Sequence, residues 1–195
     1  GAMERPVPVP GWTLPGVMTV GAAQILLKTA GAGPEAPVVL AGSGPLLYLL
    51  ACQYVEAGVA VRALVETTPR SNRFAAARHL GAALAERTLL TKGLSMLWRL
   101  HRAGVRRYLG ASDLRIEGRE RCEALSFSIG GRRERLEAAL VLLHEGVIPN
   151  THVSMAIGAD HEWDSVQLGW RPRLDAWGTT TAEGIEIAGD GGGIQ

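Results

Sequence analysis

The 195 residues hold only two cysteines, Cys52 and Cys122, far apart and outside any Cys-x-x-Cys, so nothing in the sequence supports a redox disulfide or a thiolate metal centre. The five histidines offer no metal site either. His144-Glu145 lacks the second histidine of His-Glu-x-x-His, and His152 and His161-Glu162 share no ligand spacing, so no metal ligand is assigned. Ser43 lies in a Gly-Ser-Gly turn that does not meet the spacing of Gly-x-Ser-x-Gly, which argues against hydrolase chemistry, and no catalytic residue is assigned. A long apolar run is missing as well. Pro45 to Cys52 falls far short of the roughly 20 residues of a membrane-spanning helix. Neither charge sign dominates, with 20 Lys and Arg against 19 Asp and Glu, so there is no electrostatic reason to expect nucleic acid. The clusters Arg132-Arg133-Arg135 and Arg102-Arg106-Arg107 are short enough for helix ends and turn surfaces. Repeats and low-complexity tracts are absent.

What remains is a globular composition, 47% hydrophobic and 20% charged, with enough core for one domain and pieces of another. Its most informative stretch is Val38-Val39-Leu40-Ala41-Gly42-Ser43-Gly44-Pro45-Leu46-Leu47, a short apolar run that ends in Gly-x-Gly and re-enters an apolar pattern at helical spacing. This pattern predicts a strand, a tight turn and a helix of the nucleotide-binding kind. Gly42 allows the turn, Gly44 lets the backbone approach a pyrophosphate, and the helix presents its free N–H groups to the phosphates. Leu47 stands where the third small residue of the fingerprint would be, and is expected to hold the helix further from the sheet.

The helix is expected to run from about Gly44 to Glu56, with Pro45 in its first turn and Ala57-Gly58 at its end. A second strand, Val59 to Val65, leads to Glu66, at the distance where an acid meets the ribose hydroxyls of an adenine nucleotide. Thr67 stands beside it. Arg70 and Arg73 follow, and an arginine there suits a 2′-phosphate, so NAD is favoured over NADP only modestly. The bland alternatives are a structural βαβ unit, a solvated Glu66 and arginines that begin a surface helix.

Further along, helices are expected at about 71–86 and 87–103, the second with Leu89, Leu90, Leu94, Leu97 and Leu100 at helical spacing. A short strand at 105–109 precedes the alternating segments 112–118 and 123–131, which predict a three-stranded antiparallel meander. The run Leu136 to His144 reads as a returning buried parallel strand, followed by the turn Glu145-Gly146-Val147-Ile148-Pro149-Asn150-Thr151. Ile185 to Ile194 reads as a strand entering a glycine turn. At the other end, Gly1-Ala2-Met3 looks like a cloning scar, and the proline-punctuated stretch from Arg5 to Gly16 reads as a linker entering a domain. The fold class expected is α/β: a Rossmann-like parallel sheet flanked by helices, with the meander attached.

Taken together, Gly42-Ser43-Gly44 after a strand, the meander before the last parallel strand, Gly146 to Thr151 after it, and Thr181-Ala182-Glu183-Gly184-Ile185-Glu186-Ile187-Ala188-Gly189-Asp190 resemble the flavoproteins with two dinucleotide-binding domains. More narrowly, Arg5 to Thr19 and His144 to Thr151 resemble the larger flavin subunits of opine oxidases, hydrogen cyanide synthase and hydroxyproline or proline dehydrogenase complexes. The resemblance spans nearly the whole chain. It implies a segment of an FAD-dependent oxidoreductase acting on C–N bonds, without activity by itself, with NAD or another adenine nucleotide in the second domain and FAD in the parent protein.

In that family an amino-terminal Gly-x-Gly-x-x-Gly, which this sequence lacks, grips the FAD pyrophosphate, and a Gly-Asp supplies a carboxylate to the ribityl or phosphate region. By matching motif these residues are Gly189 and Asp190, although an N-cap aspartate is the bland reading. Gly146, Pro149 and Asn150 are expected to close the nucleotide cleft or to form the crossing back to the flavin domain. The domain boundaries implied are 4–35 as entry from the FAD domain, 36–152 as the nucleotide domain and 153–195 as the return. Partner subunits and a cytoplasmic place, with a peripheral one on the inner membrane face as a variant, complete the expectation. Two readings compete: a docking module whose nucleotide cleft is empty, and a methyltransferase, which the meander, Pro149-Asn150 and the terminal Gly-Asp argue against.

Overall fold

A computed structural model describes residues 1–69, 71 and 87–194. They divide into two compact units, Pro6–Glu145 and Gly1–Arg5 together with Gly146–Gln195. Among the described residues no helix is long and apolar enough to cross a membrane.

The unit 6–145 is built on strands β2 (Val17–Thr19), β3 (Val38–Ser43), β4 (Val61–Glu66), β5 (Arg106–Leu109) and β9 (Leu140–Glu145), which form one parallel sheet in the order β2-β9-β3-β4-β5. Its central strands are apolar at nearly every position because both faces are covered. Val38, Leu40, Leu64 and Leu142 pack on Val20 and Ala23 of α1 (Val20–Ala30), Leu47, Leu50 and Tyr54 of α2 (Pro45–Glu56), and Leu100 of α3 (Arg87–Arg102). The alternate residues Val39, Ala41, Val65, Val141 and Leu143 face the other way and pack with Leu114, Ile116, Leu125, Phe127 and Leu136. These last belong to the meander β6 (Ser112–Glu117), β7 (Ala124–Ile129) and β8 (Arg132–Glu137). Leu47, in place of a small residue, is fully buried in the layer between helix and sheet.

Three expectations need correction. Arg132, Arg133 and Arg135 are not helix ends or turn surfaces; they lie in β8, reached through Gly130-Gly131, whose φ values of 55° and 80° make the tight turn a hairpin needs. The run Leu136 to His144 is two strands rather than one: β8 ends at Glu137, and β9 starts at Leu140 in the other sheet. Ile185 to Ile194 forms no strand beyond a single bridge at Glu186, because glycines at 189 and 191–193 favour the 3₁₀ turn Gly189–Gly191. The helix expected at 71–86 lies almost wholly outside the described residues.

Residues 17–30, inside the stretch read as entry segment, form β2 and α1 of this unit. Thr19 caps α1 by accepting from the Ala22 N–H at 3.3 Å, and Gly31 closes it at φ 61°.

The other unit contains the antiparallel pair β1 (Ala2–Glu4) and β10 (Val147–Pro149), helix α4 (His152–Ala156), and the hairpin β11 (His161–Asp164) and β12 (Gly169–Pro172). Residues 1–3, read as a scar, thus supply most of a strand.

Candidate functional site

The carboxyl ends of β9, β3 and β4 lie side by side in the unit 6–145, and the expected residues 42–45, 66 and 67 gather there. Gly42 has φ 133°, and a Cβ there would overlap the backbone carbonyl of His144 on β9. The sheet itself therefore demands this glycine. Gly44, at φ 97°, is different: a Cβ there would meet only the His144 imidazole, at 3.6 Å, so the approach to the start of α2 is open. Gly44 makes no side-chain cap, and Pro45 has no N–H. The first-turn N–H groups from Leu46 onward are thus left for an anionic group, which is the fit a pyrophosphate requires.

Behind this turn a carboxylate joins three strand ends. Glu145 accepts from the Ser43 hydroxyl at 2.7 Å through Oε2 and from the Thr67 hydroxyl at 2.6 Å through Oε1. The Thr67 N–H donates to the Gly42 carbonyl at 2.9 Å, closing the arrangement. Beside it, Glu66 accepts a hydrogen bond from the Tyr48 hydroxyl through Oε2. Arg107 of β5 donates to the Tyr48 oxygen at 3.1 Å and lies 4.0 Å from Glu66 Oε2. Burial, and then the Glu66 carboxylate, push the Tyr48 phenol above its ordinary pKa, so it stays a protonated donor. Pro45, Tyr48, Glu66, Gly93, Met96, Leu97 and Arg107 line a cavity of about 280 Å³. Apolar walls with a few converging polar groups are the usual makeup of a small-molecule site.

The remaining expected residues belong to the other unit. Gly146, at φ 84°, accepts from the Arg5 N–H at 3.0 Å, Pro149 pairs with Ala2, and Asn150 Oδ1 accepts from the His152 N–H at 3.2 Å. Gly189 and Asp190 begin the 3₁₀ turn and, with Arg171, Leu174, Ile187, Gly192, Gly193 and Ile194, line a cavity of about 380 Å³. Its charged side chains are the Asp190 carboxylate and the Arg171 guanidinium, set among glycines and aliphatic residues. Arg70 lies outside the described residues.

Sequence reasoning passes over Tyr48, Arg107 and Glu145. Only the parallel pairing of Ser43 with Glu145 and of Leu64 with Arg107 brings them in, and no local pattern announces such pairings.

No family model matches the chain. It is homologous along its whole length to proteins named as the A component of opine oxidase, with 47% identity over 194 residues to that of Agrobacterium tumefaciens (strain Ach5), of which it covers 38%. Hydrogen cyanide synthase subunit HcnB of Pseudomonas protegens is 33% identical over 204 residues, with 42% of it covered. The chain thus spans about two fifths of the length of these relatives. Among solved structures, T. acidophilum thioredoxin reductase matches with TM-score 0.64 at 16% identity, over 97% of this chain and 55% of that one. L-proline dehydrogenase from P. horikoshii matches with TM-score 0.58 at 14% identity, over 98% of this chain and 28% of that one. These relatives bear out the resemblance read from the motifs, and the solved structures bear out the α/β fold with its parallel sheet.

Proposed function

We propose that this homologue of part of an opine oxidase component is the nucleotide-binding portion of an FAD-dependent oxidoreductase subunit that oxidises a carbon–nitrogen bond of an amino acid, opine or related amine. The observation that carries the reading is the gathering of an uncapped α2 start, Gly44 and Glu66 at the carboxyl edge of one parallel sheet. In such sheets ligands bind at that edge. NAD or another adenine nucleotide lies with its pyrophosphate against Gly42, Ser43, Gly44, Pro45 and Leu46 and its ribose at Glu66 and Thr67.

Gly44 allows close backbone approach, and the α2 dipole favours the phosphate charge. Glu145 holds the turn in shape through Ser43 and Thr67. In the other unit, Gly189 and Asp190 would hold FAD, with the Asp190 carboxylate as an acceptor for its hydroxyls. FAD would supply the two-electron acceptor, while the protein binds and orients it. Gly146, Pro149 and Asn150 shape the crossing between nucleotide and flavin regions. The relatives named above are components of larger enzymes, which supports partner subunits here, and a cytoplasmic place goes with this reading.

The test is a thermal-shift panel of NAD, NADH, NADP, ADP, ATP, FAD and S-adenosylmethionine. A ligand at a hundred times its Kd stabilises the folded protein by about 2.7 kcal/mol. A rise with an adenine nucleotide that Gly44→Glu abolishes supports the site. Silence across the nucleotides leaves a docking module, and a rise with S-adenosylmethionine alone makes the chain a methyltransferase.

A further inference from the structure

On the helical side of the parallel sheet, toward the amino ends of its strands, α1, α2 and the loop 32–34 enclose a groove of about 220 Å³. Met18 of β2, Ala23 and Leu26 of α1, Pro34, Tyr54 of α2 and Leu140 of β9 line it, and among the described residues no charged side chain does. The groove is preformed. Ala23 and Tyr54 are each only 2% exposed, Gly31 at φ 61° turns the chain out of α1, and a Cβ on Gly33 would come within 2.7 Å of Val59 Cγ2, so the loop at the rim is seated against Val59. Tyr54 stands in the last turn of α2, about 14 Å along the helix axis from Pro45 and the glycine turn. A phenol buried this far ordinarily finds a hydrogen-bond partner. Among the described residues the Tyr54 hydroxyl has none, whereas no side-chain oxygen or nitrogen sealed from solvent there lacks one, so the Tyr54 oxygen reaches the groove it lines. Burial pushes the phenol above its ordinary pKa, which keeps it an O–H donor.

We infer that this groove is a second ligand site, separate from the carboxyl edge of the sheet, which takes a small uncharged molecule with one apolar ring and a carbonyl oxygen that accepts from the Tyr54 hydroxyl. The inference is independent of the nucleotide reading. One donor in an otherwise apolar wall sets the chemistry: the ligand's body is apolar, and its single polar atom is an acceptor. A charge is excluded, because no group in the lining would pair with it and its desolvation would go uncompensated. The volume sets the size. Apolar protein cavities of about 150 Å³ accommodate benzene, so this groove holds one ring with its carbonyl and has no space for a nucleotide.

The experiment is methyl-resolved NMR of the whole chain, titrated with cyclohexanone, with benzene, which lacks the acceptor, and with cyclohexanecarboxylate, which adds a charge. Cyclohexanone is expected to shift the Met18, Ala23 and Leu26 methyl signals saturably, and cyclohexanecarboxylate to leave them in place. Tyr54→Phe should weaken cyclohexanone about fivefold, the size of one neutral hydrogen bond, while benzene binds variant and wild type alike. The same variant should melt with wild type, because its hydroxyl has no protein partner to lose. Ala32→Leu narrows the rim and should weaken both rings. Groove methyls that ignore cyclohexanone, equal cyclohexanone affinity in wild type and Tyr54→Phe, or equal binding of the carboxylate overturns the inference. Tighter binding of N-acetylleucinamide than of cyclohexanone also overturns it, and makes the groove the seat of a partner polypeptide's leucine side chain.

Discussion

Each of the two compact units is stabilised by its own physics. In residues 6–145, a parallel sheet is sealed on one face by helices and on the other by a meander, and its central side chains, Leu40, Leu64, Leu142 and Phe127 among them, are fully buried. Such side chains contribute about 1.5–3 kcal/mol each on leaving water. The unit formed by residues 1–5 and those from 146 onward has short paired strands and turns, and its aromatics stay in the open. Trp163 and Trp170 stack edge to face with centroids 5.6 Å apart and yet are each about half exposed, and Trp177 is 88% exposed. Here order comes from carboxylates and hydroxyls that satisfy turn backbone. Asp164 Oδ1 accepts from Val166 and Gln167 at 2.8 and 2.9 Å, and Asp175 Oδ1 accepts from Trp177 and Thr179 at the same two distances. An aliphatic core is indifferent to pH, whereas turns tied by carboxylates are not.

The sharpest way to break the contrast is to empty the core. Leu40→Ala should cost about 2–5 kcal/mol in denaturant unfolding, while Trp177→Ala should stay within about 0.5 kcal/mol. A comparable loss from both would mean that the exposed tryptophan is buried against something in solution.

The next test separates the two glycines of the Gly-Ser-Gly turn. Gly42→Ala drives a Cβ into the His144 carbonyl at a positive φ, and should destabilise by about 2–5 kcal/mol through combined strain and overpacking. Gly44→Ala carries only the conformational cost of about 1–3 kcal/mol for φ 97° and ψ 165°, a region left almost wholly to glycine, and on the proposed reading it lowers nucleotide affinity more than stability. Equal thermal losses would show that Gly44 too is demanded by packing.

Glu145→Ala removes the acceptor shared by Ser43 and Thr67, and is expected to cost about 1–3 kcal/mol. Glu145→Gln, which keeps one acceptor oxygen, should recover part of that loss in the same melting experiment.

The smallest effect concerns pH. Backbone N–H donors from Gln167 and Val166 hold Asp164 below the usual carboxylate range, and those from Thr179 and Trp177 do the same for Asp175. Their folded-state values lie below the unfolded value of about 3.9, so their stabilisation is fully present above that pH and is lost as pH falls through the folded values. Fluorescence of the exposed tryptophans should therefore report loosening of these turns on acidification below about pH 4, and Asp175→Asn should flatten the part due to that turn.

Much of this is legible along the chain wherever neighbours in sequence are also neighbours in space. The Val38–Ser43 strand, the glycine turn and the α2 helix can be read within a residue or two, because apolar period, Pro45 and the Ala57-Gly58 stop all act locally. The meander's existence is also readable, but the split of Leu136 to His144 into two strands is not. Both halves are apolar enough to be buried, and only the tertiary structure sends one to the meander and the other to the parallel sheet. The closing glycine stretch misleads for a related reason: Ile185 and Ile187 suggest a strand, but only a partner strand can make one.

By itself, then, the sequence determined that a parallel sheet would form, where its glycine turn would lie and which acid would stand at the next strand end, since propensity, spacing and turn chemistry are local properties. The tertiary structure alone decided which strands adjoin, and thereby that Glu145 would clasp Ser43 and Thr67 and that Tyr48 and Arg107 would hold Glu66. Strand order and register are set by burial on both faces of the sheet, a collective property of residues as distant along the chain as Ser43 and Glu145.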